Sequence, residues 1–390
     1  MTMTRIYLDH NATAPIRPEA ARAVGRALVQ GGNPSSIHTE GRKARATIER
    51  AREDVAALVG AQPKNVFFTS GATEALNLAL TPSLQAGCDA RPWRLYVSAT
   101  EHAAVLMGHR FPEDAVEIVP VKPNGVIDLD ALAKALEQHE YSRPLLALQI
   151  ANNETGVIQP VKAAAELIHG RDGLVVSDAV QAAGRMPVDI ETCGADLIAI
   201  SAHKIGGPSG AGALIRRKEA IHIGEPLVRG GGQEKGLRAG TENLASIAGF
   251  GAAAEAIRRD LAADVSRLES QRERLESGIF GIAQDVVVFG AAAERIPNTV
   301  AFAVPGVVAE TALISFDLAG VAISSGSACS SGKVKNSHVL DAMGVKPDIR
   351  ACMLRVSLGW TTSDADIERF LEVFAQLRAN TSVAGKVLAA

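Results

Sequence analysis

Cysteine is scarce in this chain of 390 residues: there are four, at Cys88, Cys193, Cys329 and Cys352, widely scattered and without a CxxC pair. That scarcity excludes a disulfide framework and leaves no spacing suited to structural zinc, so no metal is expected. An excess of one charge is also lacking. The formal net charge of -3 gives no electrostatic case for nucleic acid or an anionic membrane as a partner. No apolar run approaches the roughly 18 residues of a membrane span. The opening Met1-Thr2-Met3-Thr4-Arg5-Ile6-Tyr7 lacks the apolar core of a signal peptide, so a cytoplasmic protein is expected. Internal repeats and low-complexity segments are absent too. What remains, 47% hydrophobic and 21% charged residues, is ordinary globular composition. The length exceeds one ordinary core and predicts two domains.

From Val66 onward, short apolar runs alternate with helical stretches. Val66-Phe67-Phe68, Leu95-Tyr96-Val97, Val116-Glu117-Ile118-Val119, Leu145-Leu146-Ala147-Leu148, Leu174-Val175-Val176 and Leu197-Ile198-Ala199-Ile200 read as strands. The alternation predicts an α/β fold: a mostly parallel sheet with helices on both faces. Two helices around Gly31-Gly32-Asn33-Pro34 precede it. A stretch rich in Ala, Glu and Arg, from about 245 to 278, predicts a long helix leading to a smaller α/β domain. There Thr299 to Ala303 reads as a strand. Ile367, Phe370, Leu371, Phe374 and Leu377 form one stripe of a last helix, opened by a Ser363–Asp366 capping box. The expected division is a large domain over 15–255 and a small one over 1–14 and 256–390.

Parallel sheets place ligands at the C-terminal ends of their strands. Thr69 to Thr73, Thr100 to His102, Asn152 to Glu154, Asp178 to Gln181 and Ser201 to Lys204 all follow predicted strands. The most informative run is Ser201-Ala202-His203-Lys204-Ile205-Gly206-Gly207. A lysine at a strand end, beside hydroxyl and imidazole donors, suits a carbonyl cofactor that also carries a phosphate. Pyridoxal phosphate is such a cofactor, held by a Schiff-base lysine and an acidic partner for its ring nitrogen. Asp178 closes a strand and is the candidate partner, with a helix N-cap as its other reading. Gln181, three residues on, is placed to reach the ring's phenolic oxygen. Thr69-Ser70-Gly71-Ala72-Thr73-Glu74 follows a strand and opens a helix, so free N–H groups make an anion site there. Ala72, Thr73, Ser201 and His203 are expected to hold the phosphate. His102 supplies a flat ring that can stack on the cofactor and move protons near neutral pH.

Ser324-Ser325-Gly326-Ser327-Ala328-Cys329-Ser330-Ser331-Gly332 surrounds one thiol with small polar residues. Such a run predicts a loop and not a core element. Once deprotonated, a thiol there is a nucleophile that can take up sulfur as a persulfide. The other reading is an incidental cysteine in a glycine-serine loop.

Asp178 with Gln181, Ser201-x-His203-Lys204 and Ser324 to Cys329 together resemble the pyridoxal-phosphate-dependent cysteine desulfurases, in the class V aminotransferase group. The resemblance runs from Tyr7-Leu8-Asp9 through Gly32-Asn33-Pro34-Ser35-Ser36, Asn152-Asn153-Glu154-x-Gly156 and Gly230-Gly231-Gly232-Gln233-Glu234 to Arg355-Val356-Ser357-Leu358-Gly359. It implies a fold type I transferase and a homodimer with its active site at the subunit interface. It further implies conversion of L-cysteine to L-alanine, with the sulfur held on Cys329 for a protein acceptor: an iron–sulfur scaffold, a sulfur-relay protein or a tRNA-modifying enzyme. Lys204 would bond the cofactor and move the α-proton, and His102 would stack on the ring. Thr73, Ser201 and His203 would bind phosphate, with Thr241 contributed by the other subunit. Asn33, Asn153 and Arg355 would hold the substrate carboxylate, which a guanidinium pairs in a bidentate fork. Lys333 and Lys335 depart from the family's pattern in a region used for partner docking, which leaves the acceptor open. A selenocysteine lyase would share Lys204 and Asp178 without depending on Cys329. A sulfur-binding protein without turnover is opposed by the intact set of Lys204, Asp178, His102 and Cys329.

Overall fold

The computed structural model describes residues 5–87, 91–326 and 337–388, with side chains as far as Ala379. Cys88 and Cys329, with Lys333 and Lys335, fall outside the described residues. The centre is a seven-stranded sheet. Its order in space is Val66–Thr69, Gly212–Arg216, Leu197–Ser201, Leu174–Asp178, Arg143–Ala147, Trp93–Ser98 and Val116–Val119. The last five run parallel to one another. Leu145, Leu146 and Leu197 to Ile200 are buried because helices cover both faces, which is why these strands read as unbroken apolar runs.

The Gly212–Arg216 strand runs antiparallel to both neighbours. No expected strand lay there, because its apolar run is short and follows a Gly-Pro-Ser turn. Gly212 has a steric purpose. A Cβ at this position would sit 2.5 Å from the carbonyl carbon of Gly71 and 2.9 Å from the Ala72 nitrogen. Only glycine lets this strand pass so close to the start of the Ala72–Ala79 helix.

The Leu244–Ile282 helix, 39 residues long, packs against Pro18–Gln30 and Thr39–Leu58 and then leaves the large sheet. Beyond it lies a second core around a three-stranded antiparallel sheet of Val287–Val288, Thr299–Ala303 and Met353–Ser357. Thr299 stands opposite Ser357 there, and Ala301 opposite Arg355. Phe316 stacks on Phe370 at 5.0 Å, and Phe302 meets Phe374 edge-on. The capping box forms reciprocally: Ser363 N donates to Asp366 Oδ2 at 2.8 Å, and Asp366 N to Ser363 Oγ at 3.3 Å. The N-terminal strand Ile6–Tyr7 pairs with Val321–Ala322, so the chain's start joins this second core. Among the described residues, no helix is long and apolar enough to cross a membrane. No cluster of three or more His, Cys, Asp or Glu suits a metal there.

Candidate active site

The C-terminal edge of the large sheet opens into a cavity of about 470 Å³. Ala72, Thr73, His102, Asn153, Asp178, Gln181, Ser201, His203, Lys204 and Arg355 line it. Asn33 and Thr241 are exposed and lie outside it. Gly326, the last described residue before Cys329, lines the cavity. A cavity of similar size, about 520 Å³, is lined by Arg45, Lys64 and Glu234 among others and holds none of the expected ligands. Chemistry, not volume, selects the first.

Asp178 and Ser201 are the last residues of their strands, and Lys204 ends the single turn that follows Ser201. Lys204 Nζ donates to Asn11 O at 2.6 Å and to Ala12 O at 2.8 Å. Asp178 Oδ1 accepts from Val180 N at 2.8 Å. Burial pushes the Asp178 carboxyl up, against the pull of His102, the Val180 bond and Lys204. A cation placed against it would complete its pairing, as a protonated ring nitrogen does. His102 caps the short Ala103–Leu106 helix and accepts from Ala104 N through Nδ1 at 3.1 Å, which puts the proton of the neutral ring on Nε2.

Gly71, also on the cavity wall, caps the Ala72–Ala79 helix without a side-chain bond, so first-turn N–H groups stay open to an anion. His203 lines the same cavity, with its pKa pulled down to about 4 by burial, Lys204 and Arg185. It is therefore a neutral ligand at pH 7, and its Nδ1 bonds Thr13 Oγ1 at 3.2 Å. Gln181 Nε2 donates to Asn11 O at 3.0 Å, which leaves Oε1 buried and unpartnered. That orientation offers a phenolic hydroxyl an acceptor. A helix start for a phosphate, a buried carboxylate for a ring nitrogen, an amine for a carbonyl and a flat imidazole fit pyridoxal phosphate.

Arg355 comes from the small sheet and is 3% exposed. Its Nη2 donates to Asp9 Oδ1 at 2.8 Å and its Nη1 to Asn153 O at 2.9 Å, while Nε is buried and unpaired. The Asn152-Asn153-Glu154 motif divides its labour. Asn152 Oδ1 accepts from Glu154 N and Thr155 N, each at 2.9 Å, and so builds the turn that presents Asn153 to the cavity. Glu154 Oε2 accepts from Ser337 Oγ at 2.5 Å. Glu101, next to His102 in the chain, is fully buried; burial pushes its carboxyl well above the usual range, against the Gln149 N–H that its Oε1 accepts at 2.6 Å.

Sequence reasoning missed Asn11, Ala12 and Arg185. Asn11 and Ala12 line the cavity and bond Lys204. The signal for them was the polar run Asp9-His10-Asn11 soon after the Ile6–Tyr7 strand, another strand-end position. Arg185 is buried and donates to the carbonyl oxygens of Gln181 and His10, each at 3.1 Å, with a 3.5 Å contact to that of Lys204. Burial, then Arg355, pulls its pKa down to about 10. An arginine after a glycine in a loop reads as surface, so nothing local marked it.

A family model described as aminotransferase class-V matches residues 6–370. Among curated proteins, a cysteine desulfurase from Cereibacter sphaeroides is 40% identical over 97% of each chain. Cysteine desulfurase IscS from Dictyoglomus turgidum is 38% identical over 95% of this chain and 94% of its own. Among solved structures, a NifS-like protein from Rickettsia africae superposes with a TM-score of 0.87 at 33% identity, covering 96% of this chain and 99% of the other.

Proposed function

The chain belongs to the aminotransferase class-V family, and from that premise we propose how its cavity works as a cysteine desulfurase. The protein is a pyridoxal-phosphate-dependent enzyme that takes sulfur from L-cysteine, leaves L-alanine and passes the sulfur on. The observation that carries the assignment of residues is the convergence of Lys204, Asp178, His102 and Arg355 on one cavity. When bound, the cofactor supplies an electron sink for the substrate's α-carbon. Ala72 and Thr73 N–H groups, Ser201 and His203 would hold its phosphate, Asp178 its ring nitrogen and Gln181 its phenolic oxygen, and His102 would stack on its ring. Lys204 takes and returns the α-proton. Arg355 and Asn153, which line the cavity, hold the substrate carboxylate together with Asn33, which is exposed in a single chain.

Sulfur transfer falls to Cys329. Its thiolate attacks cysteine Sγ, the new S–S bond forms as the Cβ–S bond breaks, and the bonding electrons stay with the carbon fragment, which gains a proton and leaves as alanine. The persulfide then serves a protein acceptor, an iron–sulfur scaffold or a sulfur-relay protein. The enzyme acts in the cytoplasm as a homodimer, in which Thr241 of a second copy completes the phosphate site. Its exposure in a single chain supports that reading.

Brief exposure to cysteine followed by mass spectrometry tests the proposal. About one added sulfur is expected on Cys329. Cys193, with its thiol pKa raised by burial, and buried Cys352, whose Sγ contacts Asp348 O at 3.3 Å, are poor competitors. Cys329→Ser should keep the cofactor's visible band and lose the label. A serine variant that releases sulfur at the wild-type rate would favour the selenocysteine lyase reading instead.

A further inference from the structure

Three consecutive backbone carbonyls of the N-terminal segment meet Arg185 and two of the cofactor-binding residues, Lys204 and Gln181. His10 O accepts from Arg185 Nη2 at 3.1 Å. Asn11 O accepts from Lys204 Nζ at 2.6 Å and from Gln181 Nε2 at 3.0 Å. Ala12 O accepts from Lys204 Nζ at 2.8 Å. An ammonium has three donors and no acceptor, so a half-buried one needs such oxygens where water is excluded. The neighbouring carbonyl, His10 O, is already taken by a second cation, Arg185.

Asn11 is 1% exposed, and its polar groups are held from both cores. Its N donates to Ser357 Oγ at 2.9 Å, and its Nδ2 to Thr299 Oγ1 at 2.9 Å and Asn153 O at 3.2 Å. Its Oδ1 accepts from Asn298 Nδ2 at 3.0 Å. Thr299 and Ser357 face each other across the small sheet, two residues from Arg355. A stretch of irregular backbone is thereby locked to the strand that carries the carboxylate-binding arginine.

We propose that the carbonyl oxygens of Asn11 and Ala12 are the seat of the Lys204 ε-ammonium in every state in which that nitrogen is not bonded to the cofactor, and that Asn11 is the positioning residue that holds the seat. This rests on the pyridoxal phosphate reading above. The seat competes with the cofactor, because one nitrogen cannot be an ammonium on two carbonyls and bonded to a carbonyl carbon at once. Loosening the seat therefore favours the lysine–cofactor bond, whereas damage to the site as a whole would weaken every ligand.

Opposite signs make the test. Cofactor-free full-length protein, wild type, Asn11→Ala and Thr299→Val, is titrated calorimetrically with pyridoxal phosphate and with pyridoxine phosphate. The second ligand fills the same cup and has no aldehyde for the lysine. The ratio of the two dissociation constants, pyridoxine phosphate over pyridoxal phosphate, should rise about tenfold in Asn11→Ala, the weight of one charge-assisted hydrogen bond. It should rise by a smaller factor in Thr299→Val, which removes one acceptor of Asn11 without changing shape and decides the question if Asn11→Ala does not fold. An unchanged or lowered ratio overturns the seat. A wild type that shows no preference for pyridoxal phosphate overturns the cofactor reading itself.

Discussion

Residues of the large sheet reach the cavity from strand ends, whereas Arg355 reaches it from the middle of a strand in the three-stranded sheet. The two sets also differ in charge balance. Asp178 is buried with a carboxyl pushed upward, so the large-sheet side is left wanting a cation. Arg355 is already paired with Asp9 and Asn153 O, so the small-sheet side is largely neutralised before any substrate arrives. One side is thus complementary to a resident group and the other is preset for an exchanging one. A resident cofactor can supply a missing charge permanently. A substrate site must be tolerable empty as well as full.

The largest effect expected from breaking this arrangement is at Lys204. Lys204→Ala should remove the visible band of the bound cofactor and lower alanine production about 10,000-fold or more, since both the covalent anchor and the proton carrier are lost. Absorption spectra and a turnover assay check it. Normal turnover by this variant would reject the assignment of the large-sheet side.

Arg355→Lys perturbs the small-sheet side alone. The substitution keeps the charge and loses the planar fork. The kcat/KM for cysteine should fall about 100-fold, mostly through KM, as one strong charge-assisted bond is lost. Cofactor affinity, measured by titration, should hold. A parallel fall in cofactor affinity would show that the two sides are not independent.

The same contrast explains what was legible before the structure. In a parallel sheet every strand end lies on one edge, so Asp178, Ser201 and His102 could be placed together from apolar runs alone. Those strands were legible because buried parallel strands read as unbroken apolar runs. The Gly212–Arg216 strand was not, since its reason for being there is a close approach to Gly71 that no local pattern encodes. Arg355, Asp9 and Asn153 meet through pairings hundreds of residues apart, and only family resemblance pointed to Arg355. Asn11 meets Lys204 through its backbone carbonyl and Arg185 binds main-chain oxygens, so side-chain type marks neither contact, and only the strand-end position of Asn11 hints at its role.

His10 lies on the seam between the two cores, and it carries the smallest expected effect. The residue is 1% exposed. Its ring meets Tyr7 edge-on at 5.4 Å, and Nε2 bonds Thr361 Oγ1 at 3.3 Å. A Cβ on Gly359 would sit 1.9 Å from Nδ1, so glycine is what lets that turn lie on the imidazole. Burial, then Arg185, Arg267 and Arg17, pulls its pKa down to about 3. The folded ring is thus neutral where the unfolded one, with a pKa near 6.5, takes up a proton. Between those values the unfolded state binds more protons, so stability is full above about pH 6.5 and is lost as pH falls. From pH 7 to pH 4.5 the loss through His10 alone should be about 3 kcal/mol. His203, with its pKa pulled down to about 4, adds in the same direction and is common to both proteins compared. Denaturant unfolding of wild type and His10→Asn at the two pH values isolates the difference, and the variant should lose about 3 kcal/mol less than wild type. Equal losses would mean that water or a carboxylate reaches the ring, and that the seam between the two sides is looser than its packing implies.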